Sequence, residues 1–162
     1  MAEEALQQEL VAAFPFLAGT LRAPRARRVF AEVPAGKATE VITHLVTTAG
    51  FTILCTITGL DLGDTLAALY HLARENGVVL TLSVAVPKAK PVLKTITGFF
   101  PAADCYEREL VDLLGFEIEG LAPGNRYPLP DGWPPGQFPL RKDWKQESLD
   151  PITDMTMEHR NG

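Results

Sequence analysis

Cysteine and histidine are scarce in this 162-residue chain, which has two of the first, Cys55 and Cys105, and three of the second, His44, His71 and His159. The cysteines form no C-x-x-C pair, and no histidine stands at ligand spacing from another or from a cysteine. An iron–sulfur or zinc site built by this chain alone is therefore excluded, and the scarcity fits a reducing compartment. A basic excess is missing too. The formal charge is −5, the wrong sign for a dedicated nucleic-acid binder. No apolar run reaches the length of a membrane span, and the acidic, Gln-containing start is no signal peptide, so membrane association is expected only through partners. The glycines build no phosphate loop, and no Gly-x-Ser-x-Gly or Cys/His arrangement marks a nucleophile.

What is present is apolar material for one core, 46% of the chain. Leu6, Leu10, Ala13, Phe14 and Leu17 recur at helical spacing, predicting a helix from Glu3 that ends near Pro15 to Gly19. Glu3, Glu4 and Glu9 lie on its polar face. The basic cluster Arg22-Ala23-Pro24-Arg25-Ala26-Arg27-Arg28 reads as a solvated loop entering an edge strand over 27–33. Electrostatic contact with an acidic partner or a phosphate is the functional alternative. Pro34-Ala35-Gly36 makes a turn, 37–48 a second helix stopped by Gly50, with His44 a surface side chain. Residues 51–59, rich in β-branched and aromatic residues, read as a buried strand. Leu66, Leu69, Tyr70 and Ala73 suit a helix by period alone. Asn76-Gly77 between two apolar runs is the stronger signal, however, and predicts paired strands over 66–74 and 78–86 with Gly77, and usually Asn76, at positive φ. Pro87 and Pro91 end the second strand, and 92–99 is expected to be a short helical turn.

The stretch from Phe99 to Trp144 is less generic. Asp104 and Glu107 have capping-box spacing, and Tyr106, Leu110, Leu113 and Leu114 share one apolar helix face. Glu107, Arg108, Glu109 and Asp112 then fall off that face, Arg108 and Asp112 have ion-pair spacing, and Gly115 is a stop signal. Beyond it Pro123, Pro128, Pro130, Pro134, Pro135 and Pro139 demand an extended arm. Trp133, Phe138 and Trp144 are anchors of the kind that dominate interfaces, with packing on the chain's own sheet as the alternative. Arg141 can fork onto a carboxylate, either on a partner or on Glu107, Glu109 or Asp112.

Four pieces in order, Phe100 to Ala103, Glu107 to Asp112, Gly115 to Gly120, and Pro139-Leu140-Arg141-Lys142-Asp143-Trp144, resemble the thirty-kilodalton subunit family of respiratory complex I and of Ech-type energy-converting NiFe hydrogenases. After the glycine matching Gly120, complex I members usually continue His-Pro and a pair of arginines. Here Leu121-Ala122-Pro123-Gly124-Asn125-Arg126 stands instead, which with the short chain and the run from Tyr127 to Trp133 points to the hydrogenase-type branch. The resemblance implies a non-catalytic subunit of a cytoplasmic arm, peripheral to the membrane. It would bind no cofactor itself and would dock to a large subunit that carries the NiFe or quinone site and to iron–sulfur subunits. The expected partner surface is the signature set, Glu107, Arg108, Glu109, Asp112, Gly115, Gly120, Trp133, Phe138, Pro139, Leu140, Arg141, Lys142, Asp143 and Trp144. A free-standing enzyme using Glu107 and Glu109 as acid and base is the competing class.

The expected fold is α+β, a mostly antiparallel sheet with helices on one face. Residues 1–120 form the domain and 121–162 the extended arm and tail. The purified chain is expected to be colourless, and metal analysis together with an absorption spectrum checks this; stoichiometric iron, nickel or flavin would contradict the cysteine and histidine count.

Overall fold

The computed structural model describes residues 2–146; the tail beyond, with His159, lies outside the described residues. In chain order come α1 (Ala2–Ala13), a 3₁₀ turn (Pro15–Leu17), β1 (Arg22–Arg25), β2 (Arg28–Glu32), a 3₁₀ turn (Ala35–Lys37) and α2 (Ala38–Thr47). Then follow β3 (Ile53–Asp61), β4 (Thr65–Ala73), β5 (Val79–Pro87), β6 (Val92–Lys94), α3 (Ala103–Leu114) and β7 (Glu117–Glu119). Five strands form one sheet in the order β1-β2-β5-β4-β3, antiparallel except for the parallel pair β2–β5, and β6 and β7 pair parallel in a second sheet.

The alternation in β4 and β5 sets the centre. Leu66, Ala68, Tyr70 and Leu72 together with Leu80, Leu82, Val84 and Val86 are at most 3% exposed. They share one core with Leu6 and Leu10 of α1, Val41, Ile42 and Leu45 of α2, and Leu110 and Leu114 of α3. The opposite face is polar along a row: Thr58 Oγ1 lies 3.2 Å from His71 Nε2, and His71 Nδ1 lies 3.0 Å from Thr81 Oγ1. Period-2 alternation thus yields one covered and one polar face, the expected α+β arrangement.

The hairpin expected at Asn76-Gly77 is present, with β4 and β5 in register from Thr65↔Pro87 to Ala73↔Val79. Only Gly77 takes positive φ, +80°. The loop is Glu75-Asn76-Gly77, with Gly77 N–H donating to Arg74 O at 2.9 Å and Arg74 N–H to Val78 O at 3.2 Å. A type I turn closed by a left-handed glycine leaves Asn76 right-handed, and its Oδ1 accepts the Val78 N–H at 3.1 Å.

Several local expectations need correction. Residues 27–33 are not an edge strand. The basic segment folds back as β1, turned at Arg27 (φ 60°), whose N–H donates to Glu3 Oε1 at 2.6 Å, and β2 is enclosed between β1 and β5. The strand expected at 51–59 is the sheet edge, shifted to 53–61, with Ile53 48% exposed. Its β-branched content marks strand propensity, which an edge satisfies as well as a centre. Residues 92–94 are a strand, because α3 brings the chain back to pair β7 alongside β6. The first helix stops at Ala13, which is exposed, and Pro15 opens a separate 3₁₀ turn. His44 is half-buried, edge-on to the Phe14 ring at 5.2 Å between centroids.

Gly77→Val places a β-branched side chain at φ +80° and is expected to lower unfolding free energy by about 1–2 kcal/mol or more in urea titration, with Gly77→Asn losing less.

Candidate functional site: the signature helix and the arm

Helix α3 starts at Ala103 with Ala102 as its N-cap and no side-chain cap, so the expected capping box is not formed. Asp104 instead accepts a bidentate pair from Arg108, Nε at 2.8 Å and Nη2 at 2.9 Å. Glu107 turns inward and is 1% exposed. Its Oε2 accepts the Thr95 hydroxyl at 2.6 Å and its Oε1 the Ile96 N–H at 2.7 Å. Burial outweighs these bonds and raises the Glu107 carboxyl above its ordinary value. The partners of Glu107 lie in the segment before the helix, which helical spacing could not reveal.

Asp112 is also buried, at 6% exposure, and accepts Arg126 Nε at 3.1 Å and the Leu129 N–H at 3.2 Å. The expected Arg108–Asp112 pair is absent: Arg108 is turned to Asp104 and to Ala122 O, the latter at 2.8 Å, and Asp112 takes Arg126 instead. Glu109 is half-buried and stands outside these bonds. The helix therefore buries two faces. Leu110 and Leu114 meet the sheet edge at Gly59, where a Cβ would collide with both side chains, and Glu107 and Asp112 gather the segments before and after. Tyr106 and Leu113 are half-buried, and the Tyr106 hydroxyl donates to Cys55 O at 3.3 Å.

The arm returns to the end of this helix. Gly115 stops α3 at φ 74°, ψ 36°. A Cβ there would lie 2.6 Å from the Phe138 ring and 2.8 Å from Arg141 Nη2, so the glycine serves both backbone and close approach. Gly120, at φ +83°, lets the chain turn past Thr95. Next to the half-buried Pro139, Leu140 N–H donates to Leu113 O at 3.0 Å, and Arg141 Nε to Leu114 O at 2.7 Å. Arg141 lies over the Phe138 ring, 4.5 Å from its centroid. Arg141 does not fork onto Glu107, Glu109 or Asp112 of this chain; the Leu114 carbonyl at the helix end takes its Nε, and Arg126 serves Asp112.

Trp133 and Trp144 stand 6.2 Å apart and are both tied to Gln137, Trp133 Nε1 through its carbonyl at 2.8 Å and Trp144 Nε1 through Oε1 at 2.9 Å. Arg126 Nη1 donates to Trp133 O at 2.8 Å. Further on, Lys142 N–H donates to Asp61 Oδ2 at 2.8 Å. Lys88 Nζ reaches the same Asp61 oxygen and Asp143 Oδ1, each at 2.8 Å. Lys88, with the Lys142 and Gly63 N–H groups, holds the Asp61 carboxyl far below the usual range. A depressed carboxylate stabilises the fold above its unfolded pKa and loses that contribution as pH falls. The Lys142–Asp61 and Lys88–Asp143 bonds join residues on either side of position 120.

Asp61, Lys88, Thr95 and Arg126 were not singled out from sequence. Asp61-Leu62-Gly63 is legible as a turn, and Asp61 Oδ1 does accept the Gly63 N–H at 2.8 Å. Its bond to Lys142 spans 81 positions and leaves no local mark.

Fold and site define an α+β domain whose glycine-capped helix carries a proline-rich arm fastened back by charge. The chain belongs to the family of the respiratory-chain NADH dehydrogenase 30 kDa subunit, which matches residues 31–149. It is 34% identical over 121 residues to a subunit of the F420H2 dehydrogenase of Methanosarcina mazei, covering 73% of this chain and 76% of that one. It is 38% identical over 89 residues to the membrane-bound hydrogenase subunit beta of Pyrococcus furiosus, covering 52% of this chain and 51% of that one. The fold matches a chain of the membrane-bound sulfane sulfur reductase, an archaeal respiratory membrane complex, with a TM-score of 0.80 at 24% identity over 91% of this chain and 88% of the other. A trypsin-resistant fragment of Nqo5 matches at 0.64 and 26% identity, over 76% of this chain and all of the fragment.

Two outcomes test the anchoring. Glu107→Ala leaves the Ile96 N–H unpaired and is expected to cost about 1–3 kcal/mol by chemical denaturation. Glu107→Gln keeps an acceptor there, and its stability relative to wild type should rise with pH. A raised folded pKa contributes stability below the unfolded value and loses it as pH rises through the folded one, a loss the amide escapes. Asp61→Ala should speed amide exchange at Lys142 by roughly five- to tenfold, the loss of one ordinary hydrogen bond.

Proposed function

We propose that this chain is a non-catalytic structural subunit of a membrane-bound, complex I-like oxidoreductase, of the energy-converting NiFe hydrogenase branch. It sits on the cytoplasmic face and binds the membrane through its partners. The family match over residues 31–149 carries the reading. Relatives named for different reactions support the structural role: an F420H2 dehydrogenase, a membrane-bound hydrogenase, an NADH-quinone oxidoreductase and a formate hydrogenlyase all contain a subunit similar to this one. What such complexes share is assembly; the electron donor differs. The Leu121 to Arg126 segment, lacking the His-Pro and paired arginines, and the hydrogenase relative favour the hydrogenase branch.

In this role the chain holds no redox centre and electrons pass through its neighbours. The signature residues act as a preordered docking face, a large subunit with the NiFe site and iron–sulfur subunits being the partners. Acid–base chemistry by Glu107 and Glu109 is disfavoured, because both Glu107 oxygens are engaged and its side chain is shut from solvent. Among the described residues no helix is long and apolar enough to cross a membrane.

The test is affinity purification of the tagged chain co-expressed with the genes beside its own. The expected product contains a nickel-binding large subunit with two C-x-x-C pairs. Flavin- and NADH-binding subunits in its place would move the chain to the complex I branch, and recovery of the chain alone would end the reading.

A further inference from the structure

Resting on that reading, we propose that Arg141 is a preformed seat for an aspartate or glutamate side chain of the large subunit, and that this contact fastens the arm to its partner. A guanidinium offers five N–H donors in a planar fork that suits a carboxylate. Arg141 spends Nε on Leu114 O and stacks on Phe138, which locks the plane while both Nη nitrogens remain without a hydrogen-bond acceptor among the described residues. Arg22, Arg108 and Arg126, by contrast, each have a carboxylate of their own. Arg141 opens on a cavity of about 190 Å³ lined by Gly136, Gln137, Phe138, Asp143 and Trp144. Trp144, fixed through Gln137, makes one wall.

Charge decides the sign of the occupant. Asp143 in the cavity wall is paired with Lys88, which also neutralises Asp61. Lys142 and Lys145 are exposed beside it. Of the two charged residues that line the cavity, Asp143 is already paired with Lys88 and Arg141 has no carboxylate among the described residues, so the unmatched charge is positive. Leu140, next to Arg141 in the chain, is 55% exposed. An arginine seated against aromatic walls matches the composition of interface hot spots, in which Arg and Trp are enriched.

The test uses the full chain in the co-expressed complex. Arg141→Glu is expected to lower the retained large subunit about tenfold or more, the usual cost of breaking a desolvated charge pair. Arg141→Lys, which keeps charge but not the fork, should fall between. Carbodiimide should join Lys142 of the wild-type complex to an Asp or Glu of the large subunit, and reversing that carboxylate to Arg should restore retention by Arg141→Glu. Should Arg141→Glu unfold on its own, phenylglyoxal decides on the wild type: Arg141 is modified in the free chain and protected in the complex. Retention of Arg141→Glu equal to wild type, Arg141 equally reactive in both states, or a Lys142 cross-link only to a second copy of this chain overturns the inference. A wild-type chain that retains no large subunit sinks the functional reading and this one with it.

Discussion

The carbonyls at the C-terminal end of an α-helix have no donors within the helix, and here the question of what satisfies them organises half the molecule. Gly115, left-handed, turns its own N–H onto Val111 O and passes Phe116 N–H to Leu110 O. Two further carbonyls, Leu113 O and Leu114 O, are reached only by a segment some 27 positions on, through Leu140 N–H and Arg141 Nε. An arm whose prolines keep it from regular pairing thus finds its hydrogen bonds at a helix end. Gly115 and Phe138 must be small and flat respectively for the two to meet.

Buried charge does the rest of the fastening. Asp112 joins the helix to Arg126 and Leu129, Glu107 joins it to Thr95 and Ile96, and Lys88 spans Asp61 and Asp143. Carboxylates shut from water are costly without partners, and each of the three buried ones among the described residues, Asp61, Glu107 and Asp112, has at least two donors. Such pairs are directional. They specify where the arm lies, whereas apolar contact alone would allow it to slide. A preordered arm loses less entropy when it docks, which suits a subunit whose proposed task is assembly.

Local chemistry in the sequence was enough for the elements with strong patterns. Alternating Val and Leu around Asn76-Gly77 define β4, β5 and their turn, the period in 106–114 with Gly115 defines α3, and the run of signature residues is sufficient to place the chain in its family. These signals are short-range, carried by neighbours within a few residues. Tertiary structure alone decided the rest. Whether 53–61 is an edge, whether β2 is enclosed, and whether 92–94 pairs β7 depend on which strands arrive beside them. Asp112 reads as a solvent-side charge and is buried because Arg126 and Leu129 come to it from outside the helix, whereas Glu107 stands at i, i+3, i+7 with Leu110 and Leu114 on the buried face, and only its partners Thr95 and Ile96 are supplied by the fold. Asp61 was a turn residue until the fold brought Lys88 and Lys142 to it, since a carboxylate's partner across 81 positions is chosen by the path of the whole backbone.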